Sequence, residues 1–453
     1  MRYDCIIVGA GPAGIHAALE LSRGGHGLKV LLIEKGRDLE QRERKDVFNG
    51  FGGAGAFSDG KLNLSKDVGG FLKDYLQEQV LDELISYVDG LFLEFGATSE
   101  VKGLGSEDVA RIEESAARAG LRLINFHIRH LGTDGCFTVL RKIRETLETS
   151  VDLLFNTEVK EVLCSGGRVS GVRTSDGSEY LAEYVILCPG RSGSHWLQGL
   201  SGRLGLSTSI NPVDIGVRVE VPASILRAVT DTVHEAKLLY NSKKFDDPVR
   251  TFCMNPYGIV VKEMHEGFCT VNGHSFSSKK SENTNFAILV STTFTEPFHE
   301  PIAYGQYIAK LANLLGEGII VQRLGDLLHG RRSTPGRISR GGVTPTLADA
   351  TPGDLSFVMP YRYVSDIIEM IETLDRFVPG INAPSTLLYG LEVKFYSLRL
   401  KLTNSMETEI ENLFAAGDGA GVTRGIIQAS VSGVVAAREI LKRRGPGGAE
   451  KEI

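Results

Sequence analysis

The alternation of apolar and polar positions at the start of the chain predicts a strand, a helix and a second strand. The apolar run from Tyr3 to Val8 is typical of a strand buried on both faces of a parallel sheet. Residues 12–22 have the spacing of a helix that packs on this strand, and the run 28–34 predicts a second strand that ends in an acid. Together these elements form a βαβ unit.

Glycines fill the turn between the first strand and the helix. Gly9, Gly11 and Gly14 fit the pattern G-x-G-x-x-G, which allows a tight turn, close approach to a pyrophosphate and close helix packing, in that order. Glu34 ends the second strand, where an acid accepts hydrogen bonds from a ribose with a free 2′-hydroxyl. This favours FAD or NAD over NADP. The residues expected to contact the dinucleotide here are Gly9, Gly11, Pro12, Ala13, Gly14, Glu34 and Lys35.

The composition is that of an ordinary globular protein of 453 residues, with 42% hydrophobic and 23% charged residues. The 50 basic and 56 acidic residues give a formal net charge of −6, which argues against non-specific nucleic-acid binding through overall charge. A polyanion site would have to be local. Since no basic stripe or basic patch with interleaved aromatic residues stands out, we expect no nucleic-acid partner.

The cysteines and histidines offer no sign of a metal site. The six cysteines include no C-x-x-C pair, so neither zinc nor a redox disulfide is indicated, and a cytoplasmic location fits them best. No run of apolar residues is long enough to span a membrane. No cluster of carboxylates or cysteines accompanies His127 and His130, which favours a structural or substrate-contact role over metal binding. His274 either reaches the active site or satisfies a sheet edge.

Two further segments resemble the flavoproteins of the glutathione-reductase superfamily. They are "NTEVKEV", followed by the strand ending in "CPG", and the C-terminal "AAGDGAGVTRGI". The resemblance implies that FAD is the cofactor and that the backbone of Val159 holds its adenine. It also implies that Asp418 binds the ribityl chain and that a helix begins beside the flavin pyrimidine ring. The additional FAD contacts implied are Gly190, Gly417, Gly425 and Ile426.

The glycine-rich stretch "GFGGAGAFSDGKL", residues 50–62, follows the ribose-binding acid. In many relatives such a segment runs along the pyrophosphate and the flavin ring, which implies FAD contacts from Gly52, Gly53, Gly55, Ser58 and Lys61. The alternative is a flexible surface linker. Interleaved Phe51, Phe57 and Leu62 disfavour a linker, because such segments are poor in large apolar residues.

The predicted fold class is α/β, with a Rossmann-type FAD-binding domain of three layers (ββα) and a discontinuous mixed-sheet α+β substrate domain. Helical spacing dominates 66–120, and strand patterns dominate 211–335. The predicted organisation is FAD-binding over 1–65, a helical cap or peripheral segment over 66–120, FAD-binding over 121–210, a strand-rich substrate domain over 211–335, and FAD-binding over 336–453 with an inserted helix near 361–378.

Over nearly its whole length the chain resembles a group called uncharacterised FAD-dependent dehydrogenases. The motifs that carry this likeness include "RHLGTDG", "RTFCMNPYGIVV" and "NTNFAILV". The resemblance predicts E-T-R-T-S at residues 392–396, where this chain has E-V-K-F-Y. No second G-x-G-x-x-G unit follows a strand, so electrons would come from transiently bound NAD(P)H, a protein donor or the substrate.

These patterns predict an FAD-dependent oxidoreductase that transfers a hydride between FAD and a small organic substrate. Lys394 and Arg424 are the candidates for polarising the substrate or flavin, and Glu392 or Tyr396 for proton transfer. Glu392 and Lys394 could equally form a structural ion pair. A flavin-dependent monooxygenase or a non-catalytic FAD-stabilised binding protein are the alternatives.

Overall fold

The fold is known from a computed structural model. It describes residues 2–24, 27–43, 48–58, 60–103, 107–124, 127–209, 211–233, 235–265, 267–275, 280–294, 298, 300–394 and 398–445. None of the helices within these ranges is long and apolar enough to cross a membrane.

The strands follow the apolar runs of the sequence. In chain order they are β1 (Arg2–Val8), β2 (Val30–Ile33), β3 (Lys61–Asn63), β4 (Arg122–Ile124), β5 (Ile128–His130), β6 (Asp152–Leu154), β7 (Val159–Ser165), β8 (Arg168–Thr174), β9 (Glu179–Leu187), β10 (Thr208–Ser209), β11 (Val213–Pro222), β12 (Lys237–Asn241), β13 (Pro248–Asn255), β14 (Ile259–His265), β15 (Phe268–His274), β16 (Asn283–Thr292), β17 (Ile320–Arg323), β18 (Thr351–Pro352), β19 (Leu387–Lys394), β20 (Arg399–Leu400) and β21 (Leu413–Ala415).

The helices carry apolar residues at helical spacing on the face that they bury. They are α1 (Pro12–Arg23), α2 (Glu78–Glu94), α3 (Glu107–Ala119), α4 (Gly132–Glu148), α5 (Ser194–Leu204), α6 (Ala223–Val233), α7 (Pro301–Gly316), α8 (Leu324–Leu328), α9 (Pro335–Ile338), α10 (Tyr361–Phe377) and α11 (Ile426–Arg444).

The chain divides into two compact units. The first comprises Met1–Lys102, Phe126–Ser209 and Ser397–Ile453. Its main sheet has the order β6-β2-β1-β9-β8-β7, and β21 also pairs with β9. The strands β6, β2, β1, β9 and β21 pair in parallel, whereas β7, β8 and β9 form an antiparallel meander. This combination of a parallel sheet, a meander and helices is the Rossmann-type arrangement that the sequence predicts.

The second unit comprises Gly103–Asn125 and Ile210–Tyr396. Its sheet has the order β18-β17-β19-β11-β16-β13-β12-β4, and a separate hairpin pairs β14 with β15. The strand pairs of this sheet are antiparallel except for β17 with β18. The predicted fold class, with a discontinuous mixed-sheet second domain, is thus confirmed.

The boundaries of the units differ from the predicted organisation at two places. Residues 336–396 belong to the second unit and not to the FAD-binding part, because β19 pairs with β11 and β17. Residues 103–125 also belong to the second unit, where β4 pairs with β12, so the predicted helical segment 66–120 is divided between the two units. The helix predicted near 361–378 is α10, and it lies in this unit.

Candidate dinucleotide-binding cleft

A cleft lies in the first unit where β1, β2, β9 and β21 reach their carboxyl ends. Ligands of open parallel sheets bind at this edge, where the loops after several strands meet. The residues that line the cleft are Val8, Gly9, Gly11, Pro12, Ala13, Ile33, Glu34, Lys35, Phe48, Asn49, Gly53, Ala54, Gly55, Ser58, Thr157, Glu158, Val159, Cys188, Pro189, Gly190, Arg191, Ser192, Gly193, Trp196, Gly417, Asp418, Arg424, Gly425, Ile426 and Ala429.

The three glycines of the first turn have different surroundings. A Cβ on Gly9 would lie 2.1 Å from the carbonyl oxygen of Cys188, and one on Gly14 would lie 1.9 Å from that of Gly9. A Cβ on Gly11 would meet no described atom within 4 Å. Gly9 and Gly14 are therefore required for packing, whereas Gly11 keeps an open space at the start of α1. The first-turn amides of a helix have no intrahelical acceptor, so this space suits an anionic pyrophosphate.

Glu34 joins three loops at the other side of this turn. Its carboxylate is 6% exposed and accepts hydrogen bonds from the amides of Ala10, Gly36 and Gly50, at 2.8, 2.8 and 2.9 Å. The Ala10 amide donates to Oε2, and the other two donate to Oε1. Because a carboxylate oxygen accepts about two hydrogen bonds, Oε2 keeps capacity for a ribose hydroxyl. Glu34 thus has a structural task that the sequence did not reveal, beside the predicted one.

The glycine-rich segment contributes only part of its residues to the cleft. Gly53, Gly55 and Ser58 line it. Gly52 faces α4 instead, because a Cβ there would lie 2.5 Å from a methyl group of Leu140. Lys61 lies in β3, opposite His130 of β5, and is outside the residues that line the cleft. The predicted FAD contacts of Gly52 and Lys61 therefore find no counterpart in the lining, whereas those of the other three do.

Arg42 holds the glycine-rich segment in place, although no motif pointed to it. The side chain is buried, and its Nη1 donates to the carbonyl oxygens of Phe51 at 2.6 Å and Gly53 at 2.9 Å. Its guanidinium carbon lies 4.8 Å from the centroid of the Phe57 ring. These contacts fix the segment, which is consistent with the prediction that it is no flexible linker. The interleaved phenylalanines were the only sequence signal.

The opposite end of the cleft is formed by the turn before α11. Asp418 accepts a hydrogen bond from the Thr423 hydroxyl at 2.8 Å, and the Arg191 guanidinium lies 3.8 Å from it. Burial raises the pKa of Asp418, and the charge of Arg191 and the Thr423 hydrogen bond oppose this only in part. A carboxylate short of hydrogen-bond donors suits a ligand rich in hydroxyl groups, such as a ribityl chain.

The helices α1 and α11 both begin at the cleft, and they pack closely against each other. A Cβ on Gly433 would lie 2.0 Å from the carbonyl oxygen of Ala13, so only glycine permits this approach. Gly425 precedes α11, and Ile426 is its first residue. A glycine in the middle of a predicted helix was the signal that could have identified this contact.

Arg424 stands directly before α11 and lines the cleft. Its amide donates to the carbonyl oxygen of Gly69 at 2.7 Å, and its guanidinium carbon lies 4.5 Å from the centroid of the Phe71 ring. The predicted cation is therefore held in place from both its main chain and its side chain.

The rim of the cleft contains residues for which no sequence motif predicted a role. The hydroxyl of Ser192 donates to the side-chain oxygen of Asn49 at 2.8 Å, which connects the loop after β9 with the glycine-rich loop. The guanidinium carbon of Arg191 lies 5.6 Å from the ring centroid of Phe48. Gly190 adopts a φ of 61°, and Val159 stands at the start of β7, and both line the cleft as expected of FAD contacts.

Glu392 and Lys394 lie in the second unit, on β19. The carboxylate of Glu392 is completely buried and accepts two hydrogen bonds from Arg218, each 2.8 Å long, while the Lys394 ammonium lies 3.1 Å away. This geometry favours the structural ion pair over proton transfer by Glu392. Tyr396, the other candidate for proton transfer, lies outside the described residues.

His127, His130 and His274 are not among the residues that line the cleft. His130 lies on β5 opposite Lys61, His127 comes directly before β5, and His274 ends β15. Among the described residues, no group of three or more His, Cys, Asp or Glu side chains could hold a metal ion.

Comparisons with known proteins agree with this geometry. Residues 3–51 match the family described as pyridine nucleotide-disulphide oxidoreductase. Residues 212–395 match the family described as FAD-dependent protein, C-terminal domain-like. These two matches fall on the first βαβ unit and on the sheet of the second unit.

An uncharacterised protein of Clostridium beijerinckii is 30% identical over 474 residues, covering 97% of this chain and 80% of the relative. The tRNA uridine 5-carboxymethylaminomethyl modification enzyme MnmG of Wolinella succinogenes is 25% identical, covering 96% of this chain. The chain spans only 61% of the length of that enzyme. Among solved structures, L-proline dehydrogenase from P. horikoshii has a TM-score of 0.41 at 14% identity, covering 98% of this chain and 94% of that one. The chain belongs to the family of the Clostridium beijerinckii protein, and it is an FAD-dependent oxidoreductase.

Proposed function

We propose that the protein transfers a hydride between bound FAD and a small organic substrate. The observation that carries this proposal is the cleft of the first unit, where α1 and α11 both begin and where the carboxylates of Glu34 and Asp418 both lie. A flavin dinucleotide has an anionic centre and a hydroxyl-bearing group on either side of it, which matches this order of residues. When bound, FAD supplies two-electron chemistry.

Different residues of the cleft would bind the adenosine, pyrophosphate and ribityl parts of FAD. Glu34 and the backbone of Val159 would hold the adenosine half, and the start of α1 at Gly11, together with Gly53, would hold the pyrophosphate. Asp418 would accept hydrogen bonds from the ribityl chain, since burial raises the pKa of its carboxylate and the Thr423 hydroxyl bonds only one of its two oxygens. The main chains of Gly53 and Gly11 lie close together, because a Cβ built on Gly53 would lie 3.0 Å from the Cα of Gly11. The proposed phosphate site is therefore lined by main chain.

Arg424 and the start of α11 provide positive potential at the flavin end of the cleft. The amino end of a helix carries about half a positive charge, and the guanidinium adds a full charge beside it. Both would stabilise negative charge that develops on the flavin pyrimidine ring during reduction. Arg424 is thereby proposed as the residue that sets how readily the cofactor accepts electrons.

The sheet of the second unit bears on which electron donor the protein uses. The described strands of the second unit form a mostly antiparallel sheet, which is unlike the parallel sheet of a second dinucleotide-binding fold. We therefore propose that NADH or NADPH, if either is the donor, binds transiently and without a domain of its own. A protein donor, or the organic substrate itself, would need no such domain.

The test begins with the cofactor. Purified protein is expected to be yellow, with one FAD per chain, and added FAD should raise the thermal midpoint of protein stripped of cofactor. Colourless protein whose midpoint does not respond to FAD would overturn the proposal.

The second step is anaerobic. Oxidised protein is mixed separately with NADH, NADPH and reduced ferredoxin, and the loss of flavin absorbance is followed before oxygen or candidate acceptors are admitted. Reduction by at least one donor, followed by reoxidation by an organic acceptor without oxygen uptake, is the expected result. Reoxidation only by oxygen, with hydroxylation of a substrate, would replace the proposal with a monooxygenase.

A further inference from the structure

Arginines are concentrated in one segment of the second unit. Five of the eighteen residues from 323 to 340 are arginine, one is aspartate and none is lysine. The arginines are Arg323, Arg331, Arg332, Arg337 and Arg340. We call these five side chains the arginine cluster. Its local charge is opposite in sign to the formal net charge of −6 of the whole chain.

One buried carboxylate organises this cluster. Asp326 is 1% exposed and accepts hydrogen bonds from Arg331 at 2.9 Å and from the Ser333 hydroxyl at 2.8 Å. Guanidinium nitrogens of Arg323 and Arg337 lie 4.0 and 3.9 Å from it. Burial alone would raise the pKa of Asp326, but these hydrogen bonds and charges outweigh it and lower the pKa. The carboxylate of Asp354, which accepts a hydrogen bond from the Gln322 amide at 3.3 Å, adds a second negative charge, so that five arginines are balanced by two aspartates and an excess of positive charge remains.

The cluster is fixed to a turn that presents an aromatic ring. The buried side chain of Gln322 donates to the carbonyl oxygen of Arg331 at 2.9 Å and accepts from the amide of Leu355 at 2.8 Å. The amide of Ser333 donates to the carbonyl oxygen of Gly353 at 2.9 Å. The turn that begins at Leu355 ends with Phe357, whose side chain is 75% exposed. The turn that carries this exposed ring is thus connected by hydrogen bonds to the main chain of Arg331 and Ser333.

Although the overall charge and the sequence pattern predict no nucleic-acid partner, we propose that the arginine cluster and Phe357 form a local surface that binds single-stranded nucleic acid. Guanidinium groups present paired donors that match phosphate oxygens, and arginine is preferred to lysine where such recognition matters. An exposed aromatic ring gives a base a surface on which to stack, a contact that single-strand binding proteins use with every kind of base. An acidic peptide would use the charges but not the ring.

The overall charge of the chain affects how strongly this surface attracts a polyanion from a distance. Because the net charge is −6, attraction at long range is weak and binding depends on local contacts. Arg331, Arg332 and Arg340 are the exposed members of the cluster. Contact of these three with phosphates predicts that the logarithm of the binding constant falls with that of salt concentration at a slope of about −2.

The probe is a fluorescein-labelled single-stranded RNA of about 20 nucleotides, and the measurement is fluorescence anisotropy with the full-length FAD-loaded protein. The test variant combines Arg332→Glu and Arg340→Glu, which leaves the Arg331–Asp326 contact in place. The control variant combines Arg111→Glu and Arg118→Glu, two exposed arginines on α3, and makes the same change in net charge. Circular dichroism and FAD content confirm that both variants are folded.

We expect the test variant to lose at least about tenfold in affinity and to have a salt slope between about −1 and 0. The control variant should change little in either quantity. Phe357→Ala should weaken binding about fivefold or more at unchanged salt slope, because it removes stacking and no charge. Absence of RNA binding at low salt, or equal losses in the two double variants, would overturn the proposal. Binding of a polyglutamate peptide or of anionic lipid vesicles in preference to RNA would overturn it as well.

Discussion

The guanidinium of Arg218 and the carboxylate of Glu392 form a pair with two parallel hydrogen bonds, each 2.8 Å long, and neither side chain has any exposed surface. Arg218 also donates to the carbonyl oxygen of Cys253 at 2.8 Å and to the side-chain oxygen of Asn272 at 3.0 Å. A charge that has been removed from water in this way depends on its partner. Loss of either partner would therefore destabilise the sheet of the second unit.

Glu392→Gln should reduce the free energy of unfolding by about 3–5 kcal/mol, because it leaves the positive charge of Arg218 buried without its counter-charge. Urea denaturation followed by circular dichroism measures the effect. Lys394→Met is the matched control, since it removes the more exposed partner of the same carboxylate, and it should cost about 1 kcal/mol or less. A Glu392→Gln protein as stable as the parent but without turnover would instead restore Glu392 as a proton-transfer group.

Gly11→Val should abolish FAD binding and leave the fold intact. Gly11 has a φ of −78°, and a Cβ there meets no described atom within 4 Å, so the side chain would fill the space proposed for the pyrophosphate. The measurements are FAD content and the thermal midpoint of the cofactor-free protein. Gly14→Val is the comparison, and it should prevent folding because its Cβ would lie 1.9 Å from a backbone oxygen. Retention of FAD by Gly11→Val would contradict the proposed phosphate site.

Arg424→Ala should lower the flavin reduction potential by roughly 30 mV, which corresponds to about 1.4 kcal/mol for a two-electron couple. The reason is that one positive charge leaves the flavin end of the cleft. Potentiometric titration against redox dyes measures the shift, with FAD content as a check. Arg438→Ala removes a charge from the same helix at a residue outside the lining of the cleft, and it should leave the potential unchanged. Equal potentials in both variants would remove Arg424 from the site.

Acid should destabilise the first unit through His16. Burial lowers the pKa of this residue to about 4, against an ordinary value of 6.5. Between these values the unfolded chain binds a proton that the folded chain does not, so stability falls as the pH falls from about 6.5 to about 4. The loss amounts to roughly 3 kcal/mol.

Denaturant titrations at a series of pH values test this dependence. His16→Leu should flatten the profile in this range, whereas the same change at the exposed His195 should leave it steep. An identical slope in the parent protein and in His16→Leu would show that other groups cause the acid sensitivity.

The sequence was most informative where one local pattern determines one local structure. The first strand, glycine turn and helix could be predicted because their contacts lie within about 30 residues of each other. The placement of 336–396 could not, because the partner strand of β19 is β11, which is distant in sequence. For the same reason Lys394 could be recognised from the sequence as a neighbour of Glu392, whereas Arg218 could not. Gly433 shows the intermediate case, since its helix and α1 were both predicted but their close packing against each other was not.

The strand β21 and the start of α11 complete a cleft whose other walls come from residues before 200, and the long second unit separates the two parts in the chain. During synthesis on a ribosome, β1, β2 and β9 emerge well before β21 can pair with β9. The edge of β9 that pairs with β21 therefore stays unpaired while the second unit is translated, and an unpaired strand edge is prone to aggregation. Cofactor capture is consequently an event of the finished chain, and cells short of FAD should accumulate full-length apoprotein and not arrested fragments.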